Sequence, residues 1–213
     1  QDVTPFEHAK LRLLNGAHSA LAYLGTLAGY SYVHQVVADP LFGRYLRHLM
    51  TQELMPTLLV DGQAPAGLDL PRYIDALLQR FANPALAHRT MQIAMDGSQK
   101  LPQRLLETLR EQLAGNGHID ILCLGVAAWI RYVSGVDEKG NAIEVSDPLA
   151  SELRAACDAN QGAPAAMVKA VVSIQKVFGT DLIDESRFIA TTTQWLERFY
   201  AKGVLASVQE YFQ

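Results

Sequence analysis

The segment Lys10-Leu11-Arg12-Leu13-Leu14-Asn15-Gly16-Ala17-His18 carries three side chains suited to moving protons and holding oxygen atoms. An amine can give or take a proton, an amide can donate to an oxygen, and an imidazole can do either. On a regular helix Asn15 stands about 140° round from Lys10, and His18 about 80° round, so all three share one side. Burying such groups on an apolar helix is costly unless each meets a partner or a ligand. An ordinary structural reading stands beside the functional one. A lysine near a helix start is usually solvated, and a lone His or Asn on an apolar helix is more often a bonded core group.

These residues need a frame, and the composition describes one. Of 213 residues, 49 % are hydrophobic and 19 % charged, as expected of a globular chain able to bury a large core. The formal net charge of −4, with basic residues dispersed among acids, argues against nucleic acid as a partner. Two cysteines, Cys123 and Cys157, fall in apolar stretches and point to a reduced, cytoplasmic protein rather than a disulfide scaffold. The six histidines show no i, i+4 pair, so no metal site is expected. No signal peptide opens the chain, and because Gln1 is not a methionine the chain reads as a fragment. Residues 16–38 contain no Asp, Glu, Lys or Arg, yet they hold His18, Ser19, Thr26, Ser31, His34 and Gln35. That polarity favours a buried helix over a membrane span.

Helical signals run along the whole chain. Thr4-Pro5-Phe6-Glu7 reads as a capping box with Thr4 as N-cap, opening a helix to about Ala38. Gly25 and Gly29 sit four apart on it, where a second helix could approach closely. Asp39-Pro40 opens a helix ended by Pro56, 61–70 is a loop, Pro71 opens a third helix, and a fourth covers about 85–95. Ser98 reads as the N-cap of a helix with the stripe Leu101, Leu105, Leu109 and Leu113, closed by Gly115-Asn116-Gly117. A nearly all-apolar helix follows from His118 to Val133. A polar turn at 136–147 leads to helices from Pro148, over 163–177, 185–201 and 204–212. No pattern is long enough for a sheet. The expectation is an all-α single domain, 1–213, of nine or ten helices. With no GxGxxG or GxxxxGK[ST], the chain has no recognisable nucleotide-binding loop of its own.

The spacing Lys-x-x-x-x-Asn-x-x-His after a Thr-Pro-Phe-Glu entry resembles the signature of the mannitol dehydrogenase family, the polyol-specific long-chain dehydrogenases. The run Asp2 to Tyr30 is most similar to the fructuronate reductase branch. Gln92-Ile93-Ala94-Met95-Asp96-Gly97-Ser98-Gln99-Lys100 resembles that family's Asp-Gly-Ser-x-Lys segment. The likeness continues through Trp129-Ile130-Arg131-Tyr132 and the polar turn after it.

What the resemblance implies is specific. It implies a multi-helical C-terminal domain like that of 6-phosphogluconate dehydrogenase, with an N-terminal Rossmann domain in cis that binds most of the NAD. Lys10 becomes the catalytic acid/base, Asn15 the oxyanion stabiliser, His18 the substrate orienter and Lys100 a substrate-binding lysine. Hydride chemistry at an alcohol carbon needs its hydroxyl proton removed, and the reverse reaction needs it delivered. A lysine amine does this near neutral pH only when desolvation or a neighbouring cation, the nicotinamide ring or Arg12, opposes its charge. Glu7, one turn before Lys10, reads first as a capping residue and second as a proton relay. Mannitol-specific members tend to carry an arginine where this chain has Gln92, a departure that argues against a simple polyol substrate and leaves the polar sugar contacts there unassigned. The expected reaction is fructuronate to mannonate with NAD or NADP, the alternatives being mannitol 2-dehydrogenase and tagaturonate reductase. This chain alone is expected to be inactive. A non-catalytic helical interaction module is the alternative of another class, and it leaves Lys10, Asn15 and His18 on one side without a reason. Arg104, one turn after Lys100, reads as a solvated surface cation.

Overall fold

A computed structural model describes residues 3–213. Gln1 and Asp2, where the family-like run begins, lie outside the described residues. Helices dominate, and the only β pairing among the described residues consists of isolated bridges. The helix Asp120–Val133 is the centre. Every residue from Ile121 to Ile130 is buried, which explains why its sequence is apolar on all sides. It is packed between Ala17–Leu27 and Ser186–Lys202. Gly125 lets the first of these come close, since an added Cβ would lie 3.3 Å from Ala20 Cβ. The expected leucine stripe is also real. Leu101, Leu105 and Leu109 are fully buried and Leu113 partly so, each full burial worth about 1.5–3 kcal/mol.

Several boundaries differ from expectation. The first helix begins with Val3 as N-cap, so Thr4 lies one residue inside and the Thr4/Glu7 capping box does not form. Its continuous course covers 4–27, not 4–38. Gly29, at φ +87°, ends it in a Schellman turn: Tyr30 N–H donates to Gly25 O at 2.8 Å and Gly29 N–H to Thr26 O at 3.1 Å. A short helix, Val33–Ala38, follows. The two glycines therefore do different things. Gly25 takes the close contact, its missing Cβ 2.5 Å from Val36, whereas Gly29 supplies only the left-handed backbone. No helix of the described residues is long and apolar enough to cross a membrane.

The expected helix over 85–95 is also divided. Pro84–Leu86 is a single tight turn, Ala87 takes φ +45°, and only Thr90–Ala94 is α-helical. Between them the backbone pairs with the turn that ends the first helix. Val33 N–H donates to His88 O at 2.9 Å, and Thr90 N–H donates to Ser31 O at 3.1 Å. This pairing fixes where His88 sits.

At the start of the central helix lies Glu53, fully buried, a residue without a sequence signal of its own. Its carboxylate accepts from Ile121 N–H at 2.8 Å and Leu122 N–H at 2.6 Å, occupying the helix's N-terminus. Burial pushes the Glu53 carboxyl up to about 7, although those two N–H groups pull it down. The folded state then keeps this proton to higher pH than the unfolded chain. Its stabilising contribution is complete below the ordinary value of 4.5 and is lost as pH rises towards 7. Glu53→Gln should flatten the fall in Tm between those limits, measured by calorimetry. An unaltered slope would mean that Glu53 does not titrate there.

Candidate active site

Between Lys10 and Gly16 the first helix widens into an i→i+5 pattern. Such single wide turns are frequent at functional sites, and they bring a residue and the fifth after it closer to one line than an α-turn does. Lys10 and Asn15 therefore stand closer round the axis than a regular helix places them. Gly16 ends the wide turn against another helix, its missing Cβ 2.6 Å from Arg104 O.

Asn15 and His18 open into a cavity of about 290 Å³ that is also lined by His88, Gln92, Ile93, Lys100 and Arg104. Three of the four expected site residues thus meet. Lys10 does not line this cavity. It is exposed on an adjoining hollow of about 610 Å³ with Phe6, Ala9, Leu14 and Tyr73. Arg80 joins the two, lining the hollow while its charge reaches His18. Arg12, by contrast, leaves this side altogether. It is buried against Glu111, at 2.5 and 2.7 Å, and the Thr57 carbonyl at 2.7 Å, so it anchors the helix and is no free cation for Lys10.

The His18 ring stacks on Phe81, centroids 4.8 Å apart, and lies 5.7 Å from the His88 ring. Its Nε2 is buried without a hydrogen-bond partner. Burial, helped by the charges of His88, Arg104 and Arg80, lowers the ring to about 4. His18 is therefore neutral at pH 7, able to accept from or donate to a ligand hydroxyl according to tautomer. Because its folded value lies below the ordinary 6.5, it favours the fold above pH 6.5, and that contribution is lost as pH falls towards 4. A histidine-labelled NMR titration should show one ring with a midpoint below 5 that disappears in His18→Gln. A midpoint near 6.5 for that ring would contradict the burial.

Lys100 reaches the cavity with Nζ donating to Met95 O at 2.6 Å and 3.9 Å from Asp96. Burial and the nearby Arg104 lower its pKa, against the pull of Asp96 and Asp147. Arg104 is not the solvated cation expected. It is half-buried, and its Nη1 donates to the buried Ser19 Oγ at 2.8 Å. Ser98 is not an N-cap either. Asp96, at φ +55°, precedes the helix that starts at Gly97, and Ser98 is its second residue. Ser98 N–H and Oγ both donate to Asp147, at 2.7 and 2.6 Å. That helix end, where free N–H groups would otherwise suit an anion, is taken by the protein's own carboxylate. The glycine is required there, because a Cβ on Gly97 would overlap Trp129 Nε1 and lie 2.9 Å from Tyr23 Oη. Sequence reasoning missed His88 entirely; its placement comes from backbone pairing with residues 31–33.

A sequence profile of the mannitol dehydrogenase C-terminal domain matches residues 2–200. The chain is 48 % identical over 210 residues to an Escherichia coli K12 oxidoreductase, YdfI, covering 99 % of this chain and 42 % of that protein. It is 46 % identical over 202 residues to the D-mannonate oxidoreductase of the same organism, covering 95 % of this chain and 40 % of the relative. A Pseudomonas fluorescens mannitol 2-dehydrogenase, solved as a ternary complex with NAD and D-mannitol, superposes with a TM-score of 0.91 at 32 % identity. That match covers all of this chain and 42 % of the other. The chain thus spans about two-fifths of the length of these relatives. By profile, identity and superposition together, it belongs to the mannitol dehydrogenase family and corresponds to that family's helical C-terminal domain.

Proposed function

We propose that this chain is the substrate-binding and acid/base half of a nicotinamide-dependent oxidoreductase that interconverts a ketose-type sugar acid and its alcohol, fructuronate and mannonate. The observation that carries this reading is the cavity in which Asn15, His18 and Lys100 meet, with Lys10 on the adjoining flank of the same helix. The identity to a D-mannonate oxidoreductase supports the choice of acid. The buried, free Cys123 and Cys157 are in keeping with a cytoplasmic protein.

NAD fits this chain only in part. No glycine-rich loop cradles a pyrophosphate, so an N-terminal Rossmann domain is left to hold most of the cofactor. The hollow walled by Phe6, Leu14 and Tyr73 beside Lys10 suits the flat nicotinamide end. When bound, the reduced nicotinamide would supply the hydride in reduction and the oxidised one would accept it in oxidation. In the reducing direction the Lys10 ammonium gives its proton to the carbonyl oxygen, an O–H bond forms, and the amine regains a proton from solvent. The Asn15 amide donates to that oxygen as charge builds on it. Neutral His18 holds an adjacent hydroxyl through Nε2, and Lys100 binds further along the substrate.

The test is reduction by the complete protein with NADH and with NADPH, offering fructuronate, tagaturonate and fructose in parallel. The reading predicts the highest kcat/KM on fructuronate. Preference for fructose or tagaturonate would reassign the substrate, and no reduction of any of them would leave a non-catalytic helical module.

A further inference from the structure

We propose that Arg104 is the residue that receives the substrate's carboxylate, and so decides between sugar acids and neutral polyols. The first observation is its lack of a counter-charge. Arg12, Arg47, Arg110 and Arg154 each hold a carboxylate within 2.5 to 2.8 Å. Arg104 is half-buried, and among the described residues its guanidinium meets only the Ser19 hydroxyl, at 2.8 Å. Arg104 lines the cavity, and a guanidinium carries five N–H donors, of which this bond takes one. A partly buried guanidinium without an anion is costly, and the cost falls when a carboxylate arrives.

The second observation is the cavity's charge. It is lined by two histidines, a lysine and an arginine, with no Asp or Glu, in a chain whose 22 acidic residues outnumber its 18 basic ones. Its floor also holds the unpartnered His18 Nε2, a polar atom that waits for a hydroxyl or carboxylate oxygen. The third observation removes the competitors. The nearby helix end is filled by Asp147, and Lys100 is engaged with Met95 O and stands close to Asp96. Of the two non-histidine cations lining the cavity, Arg104 keeps the more donors uncommitted, and its planar fork matches a carboxylate in two parallel bonds. Gly16 lets the two helices meet here, because only a bare Cα fits this close to Arg104 O.

The identity of the ligand as a substrate rests on the function proposed above, so the test separates the two. Calorimetric binding of D-mannonate and of D-mannitol is measured on the complete enzyme with NADH present, a combination in which neither alcohol can be oxidised. Wild type should prefer mannonate by about ten-fold or more, the equivalent of one charge-assisted pair. Arg104→Gln should bring the two affinities together while leaving mannitol binding nearly unchanged, which also shows that the variant is folded. Arg104→Lys, keeping the charge without the fork, should restore part of the preference. A wild type without preference, a preference that survives in Arg104→Gln, or an equal loss of both ligands would each overturn the assignment. If mannonate binding depends on Arg104 but the enzyme reduces no ketose, the carboxylate site stands and the dehydrogenase reading falls.

Discussion

Lys10→Met in the complete enzyme is expected to lower kcat by more than the roughly 10²–10⁴-fold typical of losing a general acid/base, since substrate orientation suffers as well. The side chain is exposed on the flank of the first helix, so the loss should come without a change in Tm. Lys10→Arg should recover little, because a guanidinium does not give up its proton near neutral pH. Single-turnover oxidation of NADH with fructuronate reads the chemical step directly. A rate within ten-fold of wild type in either variant would remove Lys10 from the reaction.

The second large effect is expected at Asn15. Loss of one preorganised donor to a developing oxyanion costs about 10²–10³ in kcat, or roughly 2.7–4 kcal/mol. Asn15→Ala should show that loss in kcat with KM changed much less, because the bond to oxygen strengthens as charge builds. A rise in KM at constant kcat would instead mean that Asn15 binds the ground state. The wide turn between Lys10 and Asn15 brings the two closer round the helix axis than a regular helix would, so the two losses should not simply add in the double variant.

Much of this arrangement was legible in local pattern. The stripe Leu101, Leu105, Leu109 marked one face of a helix that does pack its leucines inward, and the apolar run to Val133 marked the central helix. Asn15 and His18 stood out by their spacing and Lys100 by the family resemblance, and the three share a cavity. What escaped was decided by partners distant in the chain. His88 sits in a segment of helical composition, and its position comes from pairing with residues 31–33. The i, i+4 spacing of Lys100 and Arg104 could not say that both line the cavity. Ser19 holds the Arg104 guanidinium and the bare Gly16 admits its backbone, and both lie some 85 residues earlier. Ser98 carried a good N-cap signal, yet Asp147, 49 residues on, takes its N–H and hydroxyl. The widened turn at 10–16 has no marker in a pattern of regular helical period.

The central claim is that this helix side presents a carbonyl to hydride and to the Lys10 proton together. Reducing fructuronate with NADH deuterated at the transferring position of the nicotinamide ring, and reading the product by mass spectrometry, tests it most directly. The account predicts mannonate carrying one deuterium on the new alcohol carbon, made by the complete wild-type protein and almost abolished in Lys10→Met. No labelled product, or equal labelled product from both proteins, would contradict it.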